Sequence, residues 1–215
     1  MKKISLSIIL GIALISPIFA ILDTYDIQEA YSKSYNYEKV GNYNESIKAL
    51  SKVYTEYPVS YTVNLRLGYL YFKLNRPSNA LDNYDKALQA IPNSIEAKAG
   101  KMWVLISQER HVEAEAVGYQ ILSIDPYNYL ANLRLAYILR LLKKTDASEK
   151  IDLKMLSVFP TDTSFLNEYG ALKFYTGNLD KASAIFESVL ILDPTNSVAK
   201  NFSAALKKAH ASEKK

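Results

Sequence analysis

Prolines set the ruler of this chain. Beyond Pro17 they fall at 58, 77, 92, 126, 160 and 194, and with Pro77 set aside every interval is 34 residues. Self-similarity at such a period marks supersecondary units stacked in a row, none of which buries its apolar face alone. The residues follow the same ruler. Asn64-Leu65-Arg66-Leu67-Gly68-Tyr69 returns two periods later as Asn132-Leu133-Arg134-Leu135-Ala136-Tyr137.

Each junction carries its own stop and start chemistry. Proline cannot continue a helix, so it closes the second helix of a unit. Two residues later stand Ser60, Ser94, Asn128, Asp162 and Asn196, all able to cap the free backbone N–H groups of the next helix. Asp26 holds that phase ahead of the first unit. Halfway through the units, Gly41, Asn75 and Gly177 tolerate the left-handed backbone with which a first helix turns. No strand-like alternation appears. The units are therefore 27–60, 61–94, 95–128, 129–162 and 163–196, each a pair of antiparallel helices, and the class is all-α.

At this point the chain resembles the tetratricopeptide-repeat family, whose units are 34 residues long with small, aromatic and proline signature positions. Repeat 2 carries Leu67-Gly68, Tyr71, Ala80, Tyr84, Ala87 and Pro92; repeat 5 carries Gly170, Gly177, Ala182, Phe186 and Pro194. Repeat 1 has Tyr37, Gly41, Tyr43, Leu50 and Pro58. Repeats 3 and 4 depart at Gly118 and Asp152, where a large apolar residue is usual, so their second helices are expected to pack loosely or to touch something else. The resemblance implies an α-solenoid of about five repeats. Residues 197–215, with Val198, Phe202, Ala205 and Leu206 at helical spacing, look like a capping helix and tail over the last apolar face.

The N-terminus reads as a targeting segment. Lys2 and Lys3 precede an apolar run from Ile4 to Ile15, and Ser16 to Ala20 looks like an approach to a cleavage site. Residues 1–20 are thus a signal peptide followed by a short leader, 21–26; an uncleaved anchor reaching Leu22 is the alternative, and with it comes membrane contact. Either way the lysines stay inside, and the body is extracytoplasmic, periplasmic or secreted.

Composition removes whole classes of function. There is no cysteine, hence no disulfide, thiolate or cysteine–zinc chemistry. Lys2 and Lys3 account for half of the formal charge of +4, which leaves a near-neutral body without the basic footprint of a nucleic-acid binder. The two histidines, His111 and His210, lie far apart, and His111 falls in a turn expected to be exposed. No nucleophile, base and orienting group stand together, and the glycines are scattered, so neither catalysis, a metal nor a cofactor is expected.

What remains is a binding face. In the first helix of each unit, positions 2, 5, 9 and 12 form a stripe distinct from the signature positions 7, 8 and 11. By the resemblance, this stripe lines a concave groove where ligands lie. Position 9 reads Tyr35, Tyr69, Trp103, Tyr137 and Ala171, an aromatic ladder; Tyr31, Leu65 and Leu133 at position 5, with Phe72 and Ile106 at position 12, extend an apolar floor. Glu38, Lys39, Lys73 and Arg140 stand near the rim. The same aromatics could equally be packing between neighbouring helices. Tyrosine and tryptophan suit a wet groove because they combine contact area with a polar tip. The expected partner is a protein or peptide; a glycan stacking on the rings, or self-assembly through the repeat ends, are the alternatives.

Overall fold

The computed structural model describes residues 22–213. The signal-peptide expectation for residues 1–20 lies outside them. The described chain is a succession of helices: α1 (Thr24–Lys39), α2 (Tyr43–Ala49), α3 (Ser51–Glu56), α4 (Tyr61–Lys73), α5 (Pro77–Ala90), α6 (Ile95–Ser107), α7 (His111–Ile124), α8 (Tyr129–Leu141), α9 (Thr145–Val158), α10 (Thr163–Tyr175), α11 (Leu179–Leu192) and α12 (Ser197–Glu213). Each packs against its sequence neighbours. The first helices of successive repeats, α4, α6, α8 and α10, also touch in order, so they lie side by side.

The turn between the two helices of a repeat is built the same way five times. Gly41, Asn75, Glu109, Lys143 and Gly177 have φ of 74°, 55°, 57°, 58° and 81°. The next residue's N–H returns to a carbonyl five residues back (Asn42 to Tyr37, Arg76 to Tyr71, Arg110 to Leu105, Lys144 to Leu139, Asn178 to Lys173) at 2.8 to 3.0 Å. That bond satisfies an orphan carbonyl at the helix end. Two of the five left-handed positions, Glu109 and Lys143, carry side chains that disfavour them, so the repeat geometry overrides local preference there.

At the junctions Ser94, Asn128, Asp162 and Asn196 accept from the first-turn N–H groups of the next helix. Ser60 makes no such bond. The start of α1 also differs from expectation. The cap is Asp23, which accepts from the N–H of Asp26 at 2.7 Å, so helix already covers part of the stretch expected to be leader. A further device was not foreseen. The amide of Asn64 donates to the carbonyls of Pro58 and Ser60, that of Asn132 to Pro126 and Asn128, and the Lys98 ammonium to Pro92. The fourth residue of each central repeat thus ties down the carbonyl that proline leaves at the corner.

Between the two helices of a repeat, one large side chain meets one small one. In repeat 2, a Cβ on Gly68 would stand 2.9 Å from the Tyr84 ring, so glycine makes room for tyrosine. Repeat 3 exchanges the roles. Met102 occupies the small position, and its methyl and Leu135 fill the space over Gly118 at 3.1 and 3.2 Å from a would-be Cβ. Gly118 is therefore not a loose spot, because the missing volume comes from the opposite helix. Repeat 4 pairs Ala136 with Asp152, fully buried, neither of whose carboxylate oxygens has a hydrogen-bond partner.

Repeat 1 closes its second helix in two pieces, with Leu50 N–H reaching back three residues to Ile47 and tightening the backbone at that point. At the other end α12 covers repeat 5. Phe202 stacks on Phe186 at 4.8 Å, and Ala199 and Leu206 are buried. Val198, expected on the buried face, is exposed, and Ala199 takes its place. No helix among the described residues is long and apolar enough to cross a membrane.

Candidate functional site

The four aromatics at position 9 are open to solvent: Tyr35 is 49%, Tyr69 36%, Trp103 47% and Tyr137 38% exposed. The fifth residue of the series, Ala171, is buried. Tyr31, Leu65, Phe72, Ile106, Leu133 and Arg140 are all half-buried. This is the pattern of a surface floor with its anchors standing above it, on first helices already seen to lie side by side.

Contacts along the stripe join the repeats. Phe72 meets Trp103 edge-on at 6.4 Å. Tyr31, Tyr35, Leu65 and Tyr69 come together with Thr62, Arg66, Tyr84 and Glu96 around a hollow of about 420 Å³ spanning repeats 1 to 3. Tyr84 reaches this floor from the second helix because neither Gly68 nor Gly100 carries a side chain; a Cβ on Gly100 would lie 2.4 Å from its ring. At the far end Arg140 lines another hollow, of about 560 Å³, with Leu172 and Tyr175. Its guanidinium sits 5.3 Å from the rings of both Tyr137 and Tyr175 and is bound by Glu168.

The electrostatics of the face come mainly from position 6, which the stripe analysis left out. Arg66 lies over the Tyr35 ring at 3.8 Å and Arg134 over the Trp103 ring at 4.1 Å. Glu38, expected only at the rim, is the counter-ion of Arg66 at 2.5 Å. Burial, then the neighbouring Glu38 carboxylate, push the Tyr69 phenol up to about 12. Tyr69 therefore presents a neutral ring. Lys73 reaches over the Tyr43 ring rather than into the stripe. The signal for the two arginines was in the sequence, in the repeated Asn-Leu-Arg-Leu, but position 6 does not share the spacing of an exposed stripe. These side chains reach the face because they fold back along the preceding repeat.

His111 opens α7 and is half-buried, not exposed, with Nδ1 buried and unpartnered. Among the described residues no group of three or more histidine, aspartate or glutamate side chains could hold a metal ion.

A family model described as the tetratricopeptide repeat matches residues 31–95, most of repeats 1 and 2. MamA from Desulfovibrio magneticus RS-1 superposes with a TM-score of 0.74 at 17% identity, over 83% of this chain and 99% of that one. The fold is that of a tetratricopeptide-repeat solenoid. PilW, a type IV pilus biogenesis factor, shares this solenoid with a TM-score of 0.72 at 18% identity, covering 90% of this chain and 91% of its own. YrrB, described as having an unusual peptide-binding site, aligns with a TM-score of 0.62 at 21% identity, over 77% of this chain and 85% of that one. The solenoid also gives position 9 its meaning, since one residue per repeat returns to the same place on the next first helix.

Proposed function

We propose that this chain is an exported scaffold that holds an extended or helical segment of a partner protein along the face of its first helices. One observation carries the reading: four successive repeats expose an aromatic residue at the same place, where a purely structural role would bury it. Large rings with a polar tip are the side chains that anchor protein interfaces. The peptide-binding site named for YrrB supports a peptide as occupant. Stacking on a sugar is the weaker reading, because one face of Tyr35 and one of Trp103 are already covered by arginine. Export rests on Lys2, Lys3 and the apolar run ending near Ala20.

Proximity labelling in the native host supplies the partner, and truncation of the ladder supplies the test. Tyr137→Ala should weaken partner binding by about 1 kcal/mol or more, while changing folding stability less. Loss of around 3 kcal/mol of stability with unchanged affinity would mean that the ladder is packing. For export, mass spectrometry of the native protein should find a chain starting at Ile21; an intact Met1 would replace cleavage with anchoring.

A further inference from the structure

Arg66 and Arg134 occupy the same position in repeats 2 and 4, and each stacks on the position-9 aromatic of the repeat before it. Their surroundings differ at two positions of the preceding first helix. Arg66 Nε and Nη2 donate to Ser34 Oγ, where repeat 3 has Met102. Arg66 is met by Glu38, at position 12 of repeat 1. The corresponding residue, at position 12 of repeat 3, is Ile106. The same two positions meet again as Arg140 and Glu168 with the charges reversed, while Phe72 and Gly100 leave the site between repeats 2 and 3 neutral on both sides. Ile106 with Arg134 is half of an ion pair.

The local chemistry agrees. Arg134 donates from Nη1 to the Ala99 carbonyl at 3.2 Å, and its Nε is buried without a hydrogen-bond partner. Burial acts against its charge, and no acid offsets that. A charge-assisted bond from a guanidinium to a carboxylate is among the strong ones.

We propose that the Arg134–Trp103 stack is a receptor for the side-chain carboxylate of a glutamate or aspartate in the bound partner segment, with a neighbouring apolar side chain of that segment seated on Ile106 and Leu133. This rests on the reading of the face as a peptide groove. The molecule contains its own example of the occupant, since the corresponding arginine–aromatic stack, Arg66 on Tyr35, is completed by the Glu38 side chain. Anchors continue on both sides of Arg134, with Tyr69 and Phe72 before it and Tyr137 and Arg140 after it. A segment crossing the face there presents a side chain rather than a chain end.

The test uses the full chain and an array of short peptides, acetylated and amidated at their ends, with a free-carboxyl set and uronic-acid oligosaccharides alongside. The wild-type protein should select peptides with glutamate or aspartate at one position beside an apolar residue. In titrations followed by Trp103 emission, the selected peptide should bind about tenfold or more tightly than its glutamine counterpart. Ile106→Glu supplies the carboxylate internally, as Glu38 does for Arg66. It should erase that preference while keeping the helical circular dichroism. Arg134→Gln should erase it as well, and serves if the first variant folds poorly. Peptides bound with no acidic preference, a preference that survives both variants, or selection of free chain ends or uronates instead would overturn the inference and leave the groove standing. If no peptide binds at all, the groove reading fails and takes the inference with it.

Discussion

Repeats 2 and 4 begin almost identically and are filled quite differently. Their first helices share Asn-Leu-Arg-Leu, the same amide ties to the proline corner and the same arginine stacks. Their second helices place Tyr84 in one and Asp152 in the other at equivalent points of the core. Tyr84 fills the space left by two glycines and reaches the groove floor. Asp152 leaves two buried carboxyl oxygens without hydrogen-bond partners. The contrast shows that face and core are specified separately. A repeat can keep its surface chemistry while its interior becomes suboptimal, because neighbouring repeats in a solenoid share the stabilisation.

The most severe way to break the comparison is to give repeat 2 the residue of repeat 4. Tyr84→Asp removes a buried ring and buries a carboxyl, and should cost about 4 kcal/mol or more in urea unfolding. A cost under about 1 kcal/mol would show that this core position carries little. The converse change, Asp152→Leu, should stabilise by about 2 kcal/mol near neutral pH, since it removes unpaired buried polar atoms.

The second effect should depend on pH. Desolvation, reinforced by nearby Glu168, raises the Asp152 carboxyl from 3.8 to about 8, against the pull of Arg140. The folded state therefore keeps a proton that the unfolded chain releases. Stability from this group is highest below about pH 4 and is lost as pH rises towards 8. The advantage of Asp152→Leu over wild type should grow between pH 5 and pH 8; an equal advantage at both would mean that the carboxyl is already ionised in the fold.

Two smaller changes sharpen the comparison at the backbone. Asn128 accepts from the Ala131 N–H at 3.1 Å, whereas Ser60 makes no cap bond to its helix. Asn128→Ala should lower stability by about 1 kcal/mol and Ser60→Ala by much less. At the turns, Lys143 and Asn75 hold φ of 58° and 55°. Lys143→Gly should gain about 0.5 kcal/mol, the relief of left-handed strain less the chain entropy of glycine. Asn75→Gly should gain less, because asparagine adopts this conformation readily. Thermal melts that rank the two the other way would mean that the Lys143 side chain contributes contacts of its own.

Much of the fold was legible because its signals are local and recur every 34 residues. Proline ends a helix wherever it falls in this frame, the capping residue follows at a fixed offset, and Gly41, Asn75 and Gly177 mark three of the five left-handed turns. Glu109 and Lys143 could be placed only by the period, since their own preferences argue against the conformation they adopt. The aromatic stripe was legible for the same reason, being one position read through five units. The start of α1 was not, because the first unit has no preceding proline to set its phase.

The sequence by itself determined the period, the helix pairs, their corners and turns, and the aromatic stripe along the first helices. Only the tertiary structure decided what meets across the gaps. Met102 fills the space over Gly118, Phe202 stacks on Phe186, and Glu38 neutralises Arg66 while Ile106 leaves Arg134 without an acid. The reason is physical. Capping and turning act within a few residues along the chain, whereas volume and charge are balanced between side chains that are distant in sequence and neighbours only once the repeats have stacked.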